Sequence, residues 1–128
     1  MDYYYGQEAE MFTFFRMPKL LFSDPRYKSL PTDAKLLYGL MIDRMELSLK
    51  NGWQDAEGKT YIYMRQEEAM EILNIKGTAT IVRLYKALET VGLLERKRQG
   101  LGHPDRLYVG RLTPPPDFQK KEVQTFKN

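Results

Sequence analysis

Between Gln66 and Val91 the chain carries two stretches of helical periodicity separated by only four residues, and that spacing restricts the fold more than any other feature. In the first stretch, Gln66 to Leu73, the residues Ala69, Ile72 and Leu73 share a face. In the second, which starts at Thr78, the apolar positions are Ile81, Leu84, Tyr85, Leu88 and Val91, and Gly92 closes it. Asn74 to Gly77 is the break. A break this short makes the pair a helix-turn-helix unit. A hairpin pattern follows: Leu93 to Arg98 is strand-like and turns basic, Gln99 to Asp105 is a loop by composition, and Arg106-Leu107-Tyr108-Val109 is a returning strand.

Upstream, Pro31-Thr32-Asp33 opens a helix, with proline near the first turn and an acid favoured by the helix dipole. Leu36, Leu37, Leu40, Met41 and Met45 form its apolar stripe, Lys35, Asp43, Glu46 and Lys50 lie off it, and Asn51-Gly52 ends it. Asp55 to Gly58 is a turn, and Thr60 to Met64 reads as a short strand of β-branched and aromatic residues. The predicted order is helix, strand, helix, turn, helix, strand, basic loop, strand. That is an α+β chain with the plan of a winged helix-turn-helix and an N-terminal arm.

The arm, residues 1–30, is rich in Tyr, Phe, Leu and Met. Phe12 and Phe14 alternate with Met11 and Thr13 as a short strand would, Pro18 limits any helix, and Ser23 to Tyr27 reads as a turn. So apolar an arm must cover something, either its own domain or a second subunit. Residues 31–112 form the winged-helix domain. Residues 113–128, with Pro114-Pro115-Pro116 and a polar remainder, read as a linker or tail.

Charge is unevenly placed. Residues 76–111 hold eight Lys and Arg against three acids, a net +5, whereas the whole chain carries +3. A basic segment on a slightly acidic body can orient a domain against a polyanion. In this plan the second helix of the pair enters the major groove and the hairpin tip touches flanking backbone or minor groove. With Ile81, Leu84, Tyr85 and Leu88 turned inward, the opposite face carries Thr78, Ala79, Thr80, Val82, Arg83 and Lys86. Thr78 and Thr80 lie in the first turn, where amides and hydroxyls can hold a phosphate. The planar fork of Arg83 can donate twice to a guanine edge. Lys76 and Lys86 suit phosphates, and small Ala79 permits close approach. On the hairpin, Lys97, Arg98, His103 and Arg106 complete the candidate DNA-binding set. Arg96, Lys97 and Arg98 alternate faces and cannot all meet one surface. Ordinary solvent-facing residues are the plain alternative for each.

Other chemistries fare worse. Gly52-Trp53-Gln54-Asp55-Ala56-Glu57-Gly58-Lys59-Thr60 superficially resembles a phosphate-binding loop. It has one residue too many between the glycines, a strand rather than a helix after it, and Asp55 and Glu57 to repel an anion. His103 is the only histidine and there is no cysteine, so a two-histidine metal centre, thiolate ligands and disulfides are excluded. Tyrosines fall on packing faces, and Glu67-Glu68 suits a helix start. No catalytic residue, metal or cofactor is expected. No apolar run is long enough to span a membrane and the first twenty residues do not read as a signal peptide, which makes the cytoplasm the expected compartment.

Several stretches together resemble the N-terminal domain of the plasmid replication initiator protein A family of Gram-positive bacteria. They are Met17 to Phe22, Ala34 to Tyr38, Ile42 to Ser48, Asn51-Gly52-Trp53, Gly58 to Tyr63 and Lys97 to Pro104, in unbroken order between about Phe12 and Leu112. The resemblance implies a winged-helix fold, a homodimer, and binding of duplex DNA at directly repeated sites in a plasmid origin to initiate theta-type replication. It also implies that the arm, with Tyr4, Tyr5, Phe12, Phe14 and Phe15, builds the dimer. Host replication factors are expected to meet a C-terminal domain that this stretch lacks. Pro31 departs from the family pattern, where a serine helix cap is usual; Thr32 or Asp33 are the candidate substitutes. A winged-helix transcription regulator, perhaps ligand-sensing, and a protein-docking module remain as alternatives, since fold alone does not separate them.

Overall fold

The computed structural model describes residues 1–8 and 12–113. After the arm comes a single helical turn, α1 (Leu20–Ser23), then α2 (Thr32–Asn51), α3 (Gln66–Leu73), α4 (Thr78–Thr90) and the strands β1 (Leu94–Lys97) and β2 (Arg106–Val109). The strands pair antiparallel, Leu94 with Val109 through Lys97 with Arg106. This is the expected α+β winged helix. The expected tail, residues 113–128, lies outside the described residues apart from Thr113.

The helix pair forms as its periodicity dictates. Ile81, Leu84, Tyr85 and Leu88 of α4 are all at most 1% exposed. Each such side chain contributes about 1.5–3 kcal/mol by leaving water. Between the helices, Asn74 takes the left-handed conformation (φ 58°), and the N–H of Ile75 donates to the Met70 carbonyl at 2.9 Å. That bond closes the end of α3 and turns the chain within four residues. On α3, Ala69 is buried but Ile72 is exposed; Met70 and Leu73 pack against the core instead.

Helix α2 departs from its simple stripe. Leu37, Leu40 and Met41 are buried as expected, but Leu36 is exposed and Lys35 is only 6% exposed. The reason is α1, the single turn that follows Pro18: the Leu21 N–H donates to the Pro18 carbonyl at 3.2 Å. The Phe22 ring then covers Lys35, whose Nζ lies 4.5 Å from the ring centroid. Leu21, Tyr27 and Leu30 also join the core, so the packed domain begins before Pro31. Pro31 occupies the cap position of α2 with no side-chain cap bond, so neither Thr32 nor Asp33 supplies one.

The expected strand over Thr60 to Met64 is replaced by two isolated bridges, Gln54 with Thr60 and Ile62 with Leu107. The segment runs between two partners and gives each only one rung. Ile62 and Leu107 exchange both backbone bonds, at 2.9 and 3.0 Å. Three α2 side chains hold this assembly. The Ser48 hydroxyl donates to the Tyr61 carbonyl (2.6 Å), Arg44 donates to the Tyr63 carbonyl (3.1 Å), and the Tyr38 hydroxyl donates to the Gly110 carbonyl (2.7 Å). Gly110 admits no side chain, because an added Cβ would lie 2.4 Å from the Gly92 carbonyl oxygen. At the far end, Arg26 pairs with buried Asp24 and donates to the Thr113 carbonyl.

The loop that superficially resembled a phosphate site is filled by its own carboxylate. Asp55 accepts the N–H groups of Glu57 and Lys59, each at 2.9 Å, and the Tyr108 hydroxyl at 2.9 Å. Burial opposes its charge, but these donors outweigh burial and hold its pKa below the ordinary 3.8. Its stabilising contribution is therefore complete above the ordinary carboxylate value and drains away as pH falls through the depressed one. Thermal unfolding of Asp55→Asn should occur at lower temperature than wild type at neutral pH, with the gap narrowing on acidification toward pH ~3. A gap that stays constant across that range would show that the carboxylate charge is not what organises the loop.

Candidate nucleic-acid interface

Helix α4 presents its outer face without internal partners. Thr78, Ala79, Arg83 and Lys86 are exposed, as is Val82, and Lys76 is exposed in the turn before them. No side chain caps the start of α4, so none competes for its first amides. Thr80 is set back: its hydroxyl oxygen stands 3.3 Å from where a Cβ on Gly77 would be, and the residue is half-buried. No ion pair engages Lys76, Arg83 or Lys86 among the described residues.

The hairpin divides its basic residues as strand alternation requires. Arg96 turns inward. Its guanidinium pairs with Glu89 at 2.6 Å and lies 5.6 Å from the Tyr85 ring centroid. Lys97 is exposed on the opposite face, across the ladder from Arg106. Arg106 is drawn over the Tyr61 ring at 4.4 Å, and its Nε is buried without a hydrogen-bond partner among the described residues. It is tied to the scaffold more than it is offered to solvent. Edge-to-face contacts run from Trp53 to Tyr63 (5.0 Å), Tyr63 to Tyr61 (5.4 Å) and Tyr61 to Tyr108 (6.0 Å). They stiffen the root of the hairpin.

Beyond Lys97, Arg98 and His103 are exposed on the wing loop. Gly100 (φ 98°) and Gly102 (φ 80°) bend it, and the His103 N–H closes it onto the Gly100 carbonyl at 3.2 Å. Leu101, which the sequence reading did not single out, stands fully exposed at the apex. Its place between two glycines was the available signal. The structure therefore gathers Lys76, Thr78, Ala79, Arg83 and Lys86 around one helix face, and Arg98 with His103 at the wing tip. Lys97 is exposed at the end of β1 beside Arg98, whereas Thr80 and Arg106 are only partly exposed.

In the arm, Tyr4, Tyr5, Phe12, Phe14 and Phe15 are all more than half exposed, with Tyr4 and Phe12 in an edge contact at 6.3 Å. Among the described residues of the arm there is no strand, including the one expected around Phe12. Its root is fastened: Met17 packs against the core and Arg16 pairs with Glu46 at 2.7 Å.

This geometry has close counterparts. The family model described as "Replication initiator protein A (RepA) N-terminus" matches residues 13–124. A 41 kDa protein of Lactobacillus helveticus is 32% identical over 102 residues, covering 75% of this chain and 29% of the relative, so the chain spans under a third of that protein's length. Three solved structures align over 99% of the chain. One described as the N-terminal domain of a DNA binding protein is 35% identical, with a TM-score of 0.72 over 93% of its own chain. One described as a Rep-DNA complex is 36% identical, with 0.75 over 98%. One described as an MDR initiator is 34% identical, with 0.71 over 99%. The chain belongs to the replication initiator protein A family, and its winged helix is that family's N-terminal region.

Proposed function

We propose that this chain binds duplex DNA sequence-specifically at repeated sites of a plasmid replication origin, as the recognition part of a theta-type initiator that performs no catalysis itself. The carrying observation is the outer face of α4, where Arg83 and Lys86 stand exposed, and without an ion pair among the described residues, beside small Ala79. The family match and the likeness to a Rep-DNA complex support the same reading. In it, α4 lies in the major groove, Arg83 reads a base, and Lys76, Thr78 and Lys86 meet phosphates. The wing tip, with Arg98 and His103, lies on the flanking backbone. No helix among the described residues is long and apolar enough to cross a membrane, which suits work in the cytoplasm.

The exposed aromatic arm supports a homodimer that engages direct repeats. Host replication factors would be met by a further C-terminal domain of a longer initiator, the Lactobacillus helveticus relative being matched over only 29% of its length.

Arg83→Ala should weaken binding to the cognate repeat by about 1–3 kcal/mol and relax specificity at one base position, measured by gel shift on variant repeats. Full affinity in that variant would remove Arg83 from the reading face. Arg98→Ala should weaken all sequences alike and lower the slope of log affinity against log salt by roughly one. An unchanged slope would exclude a phosphate contact there. The triple variant Phe12→Ser, Phe14→Ser, Phe15→Ser should sediment as a monomer where wild type sediments as a dimer. Identical sedimentation of the two proteins would place the dimer contact elsewhere or abolish it.

A further inference from the structure

Between the returning side of the wing and the start of α3 lies a cavity of about 490 Å³ that duplex recognition by α4 does not use. The volume is within the ordinary range for small organic ligands. Three aromatic residues line it: Trp53, Tyr63 and Tyr85. Tyr85 is 1% exposed, and its hydroxyl has no hydrogen-bond partner among the described residues. A buried hydroxyl left unpartnered costs stability, and such groups call for an explanation. Burial also pushes this hydroxyl up to about 12, so it remains a protonated donor at neutral pH.

The charges on the lining argue against an anion. Two of its arginines are already engaged, Arg44 by Glu68 at 2.5 Å and Arg96 by Glu89 at 2.6 Å. Glu67 and Asp105 line the same space and have no ion-pair partner among the described residues. Arg65 alone remains to face them. A phosphate would meet more repulsion than attraction here. A flat, uncharged ring with amino donors and ring acceptors fits better. Aromatic side chains offer it stacking, carboxylates accept from its exocyclic amines, and Gln66 can do either.

We propose that this cavity is a receptacle for a single nucleobase. A second depression, lined by Tyr63, Gln99, His103, Pro104 and Arg106, shares Tyr63 and Pro104 with the first. It leads from the wing loop toward the cavity. On the proposed function, a nucleotide leaving the stack where the wing meets DNA would lie beside this depression. A free nucleoside presents the same chemistry. The site is independent of Arg83, so duplex binding on a gel can succeed or fail without deciding it.

Trp53 is the only tryptophan, and its fluorescence reports occupancy directly. The full chain is titrated with 2′-deoxynucleosides, with a duplex carrying one bulged base, with the same duplex fully paired, and with inorganic phosphate. The bulged duplex should quench saturably and at least roughly tenfold more tightly than the paired duplex, base stacking on aromatic side chains being of that order. Phosphate alone should not quench. Quenching by the bulge without quenching by nucleosides assigns the site to extruded DNA, and quenching by both assigns it to the nucleobase from either source. Tyr85→Phe should weaken nucleobase binding by roughly fivefold while leaving the unfolding temperature unchanged or raised, since it removes a hydroxyl with no partner. Should that variant fold poorly, Asp105→Ala, at a half-exposed position, should weaken binding by a similar factor. No quenching by nucleosides or bulged DNA, equal quenching by phosphate, or quenching undiminished in the variants overturns the proposal.

Discussion

The reciprocal pair of backbone hydrogen bonds between Ile62 and Leu107 joins the two halves of the domain. On one side is the segment that feeds the helix pair, on the other the hairpin that forms the wing. Both residues are buried, so neither backbone group has water to turn to. Each bond adds only about 0.5–1.5 kcal/mol net, yet leaving either group unpartnered would cost about 1–3 kcal/mol. Helix α2 locks the arrangement from behind through Ser48, Arg44 and Tyr38. The angle between α4 and the wing thus follows from a few buried polar contacts set in an apolar core. On the proposed function that angle matters, because α4 and the wing would have to reach one duplex together.

Local physics made part of this legible. The ends of α3 and the span of β2 follow from periodicity and punctuation alone, and α4 ends within a residue of its expected stop. Asn74 opens the turn in the left-handed conformation that asparagine tolerates better than most residues, and Gly77, in ordinary extended backbone, leads into α4. The exchange of Lys35 for Leu36 in the core was not legible, because it depends on Phe22 of the short α1 folding back over Lys35. The lost strand over Thr60 to Met64 has a similar cause. Its composition is strand-like, but its neighbours offer one rung each.

Within the site, exposure of Arg83, Lys86 and Ala79 followed from helical spacing. The commitment of Arg106 to Tyr61 did not, since cation–aromatic contacts between distant segments leave no periodic trace. Arg96 is intermediate. Alternation said that one of three consecutive basic residues must turn inward, but only the position of Glu89 and Tyr85 fixes which. The bare hydroxyl of Tyr85 is likewise a tertiary fact: tyrosine on an apolar helix face ordinarily signals packing and nothing more.

Asp55 gives the domain a neutralised corner of its own. The amides that might have attracted a phosphate are spent on an anion built into the chain. A mobile anion therefore finds those amides already occupied. Among the described residues, the outer face of α4 has no such resident counter-charge. On the proposed function, added salt would therefore act first on the grip of that face on a polyanion.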